Sequence, residues 1–116
     1  MINSQKKKVM QEMLKILEHM HILSKQAALE QNKDKLNSMR TDFILLNTQY
    51  ANIDSSIIPN RLSSDPEDLG TLFGTTRNDL TNVFSDWMSL ESRKKPLIIA
   101  ERKIKLIKQK LKEMTD

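Results

Sequence analysis

The clearest pattern in the chain is a seven-residue recurrence of apolar side chains in its first half. Its members are Leu29, Leu36, Phe43, Tyr50 and Ile57, and a second set follows at Met39, Leu46 and Ile53. Such a/d spacing is typical of a helix that packs along a partner helix, and we call these residues the first seam. No glycine or proline occurs in residues 5–57, and Pro59 then ends the pattern. The spacing predicts one long helix over residues 5–54.

The apolar pattern changes its character upstream of this seam. Met10, Met13, Leu17 and Met20 belong to a wider apolar stripe, which predicts packing against two or more neighbours, as in a bundle. This stripe does not run in phase into the first seam, because extra four-residue steps are needed between the two. We therefore expect the long helix to bend, break or change partner within residues 24–35.

The second half of the chain is predicted to begin with a connector over residues 55–76. Ser64 and Glu67 have the spacing of a capping box and Gly74 is a helix stop, so a short helix is expected over residues 66–73. Thr76 and Asp79 form a second capping box before the next apolar run. A new helix is therefore expected to begin at residue 77.

A second seven-residue recurrence crosses Pro96 without a change of phase. It comprises Val83, Leu90, Leu97, Ile104 and Leu111, with Ala100, Ile107 and Met114 as the matching set. A helix that started afresh after the proline would have no reason to keep the earlier phase. We predict one helix over residues 77–114, kinked near Pro96, or two nearly collinear helices. These residues form the second seam, and Trp87 is expected to be a packed anchor on it.

Composition supports an all-α fold. Two glycines, three prolines and 4% aromatic residues are too few for a turn-rich β protein. The predicted organisation is a basic flexible tail (1–8), a long N-terminal helix (9–54), the connector (55–76) and a long basic C-terminal helix (77–116). Because two helices alone would leave part of each apolar stripe in water, we expect a coiled coil or helical bundle formed with partner chains. The seam residues expected to bind these partners are Leu29, Leu36, Met39, Phe43, Leu46, Tyr50, Ile53, Val83, Trp87, Leu90, Leu97, Ile104, Ile107, Leu111 and Met114.

Charge is distributed unevenly along the chain. Net charge is +3 over residues 1–29, −5 over 30–91 and +6 over 92–116, which together give the overall +4. The basic end is expected to meet an anionic partner or to lie against an acidic middle segment, either of its own chain or of a partner. The candidate anion-binding residues are Arg93, Lys94, Lys95, Arg102, Lys105 and Lys112.

Residues that carry catalytic or metal chemistry are scarce. There is no cysteine, and His19 and His21 fall on different sides of a helix, so no shared metal site is expected. Glu18 and His21 have the Glu-x-x-His spacing of di-iron bundles, but the second such pair is missing, and a surface pair is expected. We expect no catalytic residues, no metal, no cofactor and no enzymatic activity. No long apolar run predicts a membrane span.

Three function classes fit these observations. The leading one is a scaffolding subunit of an obligate hetero-oligomer with other helical proteins, assembled through both seams. The second is a nucleic-acid-binding module that uses the basic C-terminal helix, although that helix lacks interleaved aromatic residues. The third is a vesicle-tethering or peripheral membrane component that uses the same helix. An intracellular location is expected, with the nucleus favoured over the cytoplasm.

Overall fold

A computed structural model of the chain describes residues 2–57, 69–85 and 90–113, which form four α-helices. They are α1 (Ile2–Ala27), α2 (Lys33–Ile57), α3 (Leu69–Ser85) and α4 (Leu90–Glu113). The all-α prediction is confirmed for this part of the chain. Trp87, Met114 and residues 66–68 of the predicted short helix lie outside the described residues. α1 extends into the segment that was predicted to be a flexible tail over residues 1–8.

The predicted first long helix is interrupted between Ala27 and Lys33. The interruption lies inside the zone 24–35 where a bend or break was expected, and its cause is local. The Asn32 side-chain Oδ1 accepts hydrogen bonds from the backbone N–H groups of Asp34 (2.9 Å) and Lys35 (3.2 Å), so Asn32 caps the start of α2. A continuous helix over 5–54 would be about 75 Å long, whereas the longest dimension of the molecule is 48 Å.

The predicted second long helix is also two helices. α3 ends at Ser85, α4 begins at Leu90, and the two pack side by side, so the prediction of one kinked or two collinear helices is wrong. Lys103 Nζ of α4 lies 2.7 Å from Asp79 Oδ2 of α3, which fixes this pairing. Pro96 does lie inside a helix, as the apolar repeat that crosses it predicted. The seven-residue phase across the break therefore does not mark a continuous helix, although Val83 of α3 and Leu97 of α4 are buried in the same core.

The expected boundary between a short helix and a long one at residues 74–77 is absent from α3. Gly74 is exposed in the interior of this helix and does not stop it. Thr76 is fully buried, so it is a packed helical residue and not an N-cap. The capping-box spacing of Thr76 and Asp79 was therefore misleading, because Asp79 instead forms the ion pair with α4.

α1 is the central helix of the bundle, since it packs against α2, α3 and α4. Its buried stripe of Met10, Met13, Leu17 and Met20 faces these neighbours, which confirms the expected multi-sided contact. Two aromatic pairs join α2 to α3. The ring centroids are 4.6 Å apart for Phe43 and Phe84 and 6.5 Å apart for Tyr50 and Phe73. The guanidinium of Arg77 covers the Tyr50 ring at 5.3 Å, a cation–π contact.

Candidate interaction surfaces

Most of the seam residues contribute to the chain's own core. Those buried are Leu36, Phe43, Tyr50, Val83, Leu97, Ala100, Ile104, Ile107 and Leu111, and those half-buried against the core are Met39, Leu46 and Ile53. Leu29 alone among the described seam side chains is strongly exposed, at 71%. The side chains of Trp87, Leu90 and Met114 lie outside the described set. In this conformation the seams are occupied by packing within the chain, so a partner helix would have to bind elsewhere.

The outer face of α2 is almost uncharged and exposes two large apolar residues among neutral polar ones. Ile44 and Leu45 are 56% and 60% exposed. Within residues 41–53 the only charged residue is Asp42, whereas helix α4 carries a charge at about every second position. A helix face that looks into water normally carries charged residues. This face therefore has the composition of the centre of a protein interface, where charged residues are depleted.

Next to this face, α1 and α2 enclose an open groove of about 420 Å³. Apolar side chains form its floor and polar side chains its rim: His19, Ile22, Leu23, Gln26, Asp42, Leu45, Leu46 and Gln49. Ile22 is 56% exposed. The spacing of the lining residues on each helix, in steps of three and four, shows that the groove runs along both helices for about two turns.

Sequence reasoning missed this groove because it concentrated on the a/d register. Ile22, Ile44 and Leu45 are not members of either seam, so the seam pattern assigned them no contact. For Ile44 and Leu45 the available sign was the low charge of residues 41–53, where Asp42 is the only charged residue. Exposed apolar residues in such a segment are candidates for an interaction site.

Arg93, a candidate anion-binding residue, is only 6% exposed and has a structural role instead. Its Nη1 donates hydrogen bonds to the backbone oxygen of Ala27 and, at 3.0 Å, to that of Glu30. These carbonyls belong to the C-terminal end of α1 and the turn after it, where a cation is electrostatically favoured. Arg93 is thus withdrawn from any anionic ligand.

Arg40 has an equivalent place at the end of another helix. Its guanidinium on α2 donates to the backbone oxygen of Phe84, in the last turn of α3. Desolvation by burial lowers the pKa of Arg40. The two arginines show how cations from neighbouring helices satisfy carbonyl groups that a helix C-terminus leaves without partners.

The other candidate anion-binding residues are exposed on α4. They are Lys94, Lys95, Arg102, Lys105 and Lys112. Two neighbouring apolar residues, Ile98 and Ile99, are 49% and 44% exposed. We call these seven residues the basic face of α4.

Ion pairs on the inner flank connect α4 to α1. His21 Nε2 lies 3.0 Å from Glu101 Oε1, and Lys108 Nζ lies 3.0 Å from Glu18 Oε2. Residue numbers rise from Glu18 to His21 along α1, whereas those of their partners fall from Lys108 to Glu101 along α4. The two helices are therefore antiparallel. Glu18 and His21 therefore join α1 to α4 through ion pairs.

Neither a metal site nor a membrane-spanning helix is found among the described residues. The described helices contain no group of three or more His, Asp or Glu side chains arranged to hold a metal ion. None of these helices is sufficiently long and apolar to cross a membrane. No protein-family model, curated protein or solved structure matches the chain. The α1–α2 groove and the basic face of α4 are the two candidate interaction surfaces of the described residues.

Proposed function

We propose that this protein is a non-enzymatic structural subunit of a helical multi-protein complex, and that it binds an amphipathic helix of a partner protein in the α1–α2 groove. The observation that carries this proposal is the pair of exposed apolar side chains, Ile22 of α1 and Leu45 of α2, in the lining of the groove. The protein keeps the assembly role expected from the sequence, but the contact moves from the seams to the groove beside the first seam, which Leu46 of that seam also lines.

The shape and chemistry of the groove favour a helix as its occupant. Helix-in-groove recognition uses apolar anchors at i, i+3 or i+4 and i+7, which cover about two turns, the same length as the lined part of the groove. Asp42 is the only charged lining residue besides the titratable His19. The matching partner face is therefore apolar at its centre, with uncharged polar residues at its edges.

The apolar surface is large enough for specific but moderate binding. Fully burying an isoleucine or leucine contributes about 1.5–3 kcal/mol. Since Ile22 and Leu45 are each a little more than half exposed, covering both is worth about 2–3 kcal/mol. Leu23 and Leu46, which also line the groove, add to this, and the cost of association subtracts from it. A micromolar affinity corresponds to about 8 kcal/mol, so the apolar anchors of the partner helix must supply most of the binding free energy.

The proposal is tested by cross-linking from inside the groove. A photo-reactive phenylalanine analogue is placed at Leu45, and in a control protein at Lys105 on α4, and both are irradiated in native cell extract. We expect the Leu45 probe to capture a defined protein at a helical segment, whereas the Lys105 probe does not capture it. The purified partner is then titrated against the Ile22→Ser/Leu45→Ser variant, for which binding should fall at least thirtyfold.

A control variant separates contact from folding. Thr48→Ser changes an exposed polar position on the same helix and should bind the partner normally. Circular dichroism should show native helix content in both variants. If the partner captured at Leu45 binds the double serine variant as tightly as the unmodified protein, or if only the Lys105 probe captures it, the groove is not the assembly surface.

A further inference from the structure

We propose that the basic face of α4 is a second, separate binding surface, and that its ligand is a bilayer surface containing anionic phospholipid. The inference does not depend on the groove. It rests on the position of the exposed cations, on the pairing of the other charges on this helix, and on two exposed isoleucines among the cations.

The cations lie along one side of the helix. Lys95 and Arg102 are seven residues apart, as are Lys105 and Lys112, and both spacings return a side chain to the same face. From Lys95 to Lys112 this face extends for about 25 Å. All four side chains are exposed. A flat anionic surface could therefore contact them simultaneously.

Several of the other charges of α4 have partners on α1 or α3, whereas the exposed Glu91 lies 3.7 Å from Lys94 on α4 itself. Lys103 pairs with Asp79, Lys108 with Glu18, and Arg93 donates to backbone carbonyls at the end of α1. Glu101, which would otherwise interrupt the basic face, lies within 3.0 Å of His21 on α1. These ion pairs with α1 and α3 lie away from the basic face, and that face keeps an excess of positive charge.

The exposed isoleucines distinguish a membrane from a nucleic acid. Ile98 and Ile99 lie between Lys95 and Arg102 and are nearly half exposed. At a bilayer, such side chains enter the boundary between headgroups and acyl chains while lysine and arginine remain at the phosphates. Against the phosphate backbone of a duplex they would gain little, and α4 offers few polar side chains to read bases. Lipid therefore fits both components of the surface.

One end of the bundle extends the positive surface. Because α1 and α4 are antiparallel, the N-terminal part of α1 lies at the same end as the last turns of α4. Lys8 on α1 is exposed there, beyond Lys112 on α4.

The effect of mutation follows from the two contributions. A lysine or arginine near an anionic bilayer contributes about a fivefold change in binding. Arg102→Glu/Lys105→Glu/Lys112→Glu should therefore lower the apparent affinity more than a hundredfold. Ile98→Ser/Ile99→Ser leaves every charge in place and should lower it about tenfold, since it removes only the inserted apolar atoms.

The test is co-flotation of the full-length protein with vesicles of phosphatidylcholine alone or with 30% phosphatidylserine, at low and physiological salt. Binding is expected only to the phosphatidylserine vesicles and should weaken as salt screens the charges. The charge-reversal and isoleucine variants should both bind less. Ile22→Ser/Leu45→Ser should float normally, so a failure of the groove proposal leaves this result unchanged.

Three outcomes would overturn the inference. The first is no flotation with phosphatidylserine vesicles at low salt. The second is equal flotation with the uncharged vesicles. The third combines two results. Duplex DNA binds tightly and loses binding on charge reversal, and Ile98→Ser/Ile99→Ser changes neither DNA binding nor vesicle binding. The last pattern would assign the face to polyanions in general and not to a bilayer.

Discussion

Replacing Arg93 tests how the turn between α1 and α2 is held against α4. Arg93→Met keeps most of the length and the apolar stem of the side chain but removes the guanidinium that donates to the backbone oxygens of Ala27 and Glu30. Hydrogen bonds from charged donors contribute about 1.5–3 kcal/mol each. Because the Glu30 carbonyl lies in a part-buried contact that water can partly replace, we expect a total loss of about 2–4 kcal/mol.

This loss is large enough to measure in two ways. A chain of 116 residues has an unfolding entropy of about 240 cal/mol/K at about 2.1 cal/mol/K per residue, so the midpoint of thermal unfolding should fall by about 8–16 °C. Urea unfolding, followed by circular dichroism, should show the same loss as a lower midpoint with an unchanged slope. The unchanged slope would indicate that the unfolded state and the size of the cooperative unit are the same.

Two matched variants make the reasoning refutable. Lys94→Met changes the adjacent, exposed position and should stay within about 0.5 kcal/mol of the unmodified protein. Arg93→Lys keeps the charge at the helix end but not the planar set of donors. Its stability should therefore lie between that of Arg93→Met and that of the unmodified protein. If Arg93→Met is as stable as Lys94→Met, the guanidinium does not hold this turn and the contact between α4 and the end of α1 is wrong.

Further predictions address the other helices. Gly74→Ala should stabilise the protein by about 0.5–1 kcal/mol in urea unfolding, because Gly74 is interior to α3 and a new Cβ would meet no atom within 4 Å; a loss of stability would show that a helix boundary exists there. Phe43→Ala should cost about 3–5 kcal/mol, since it removes a buried ring packed on Phe84, and a cost below 1 kcal/mol would contradict the α2–α3 contact. Asp79→Asn should cost about 1 kcal/mol through loss of its part-buried ion pair with Lys103, and the same cost should not appear in a Lys103→Met background, as a double-mutant cycle would reveal.

Helix formation was largely determined by local sequence. The absence of glycine and proline from residues 5–57, together with apolar residues at helical spacing, is sufficient for helices, and Asn32 supplies a cap that ends any continuous helix nearby. These are properties of neighbouring residues along the chain. They depend little on what the helix packs against, so sequence reasoning could locate both the helices and the zone of the first break.

Local sequence was less reliable where two signals conflicted. Gly74 and the capping-box spacing of Thr76 predicted a boundary, but tertiary packing overrides such preferences when they are worth only about 1 kcal/mol. Burial of Leu72, Phe73 and Leu80 on one side of α3 exceeds that amount. The helix therefore continues through both residues.

The identity of each helix's partner was decided by the tertiary structure alone. A seven-residue apolar repeat predicts which face of a helix is buried. The free energy gained by burying that face is the same whether the opposite helix belongs to the same chain or to another. Phe43 and Leu97 carried the same pattern that a coiled coil would, and folding uses them internally. Arg93 likewise has the same side chain as the exposed Arg102; only the approach of α1 gives it carbonyl groups to bind. The packing of the helices also decides which apolar residues are buried in the core and which remain exposed. Only the exposed ones can contact another molecule.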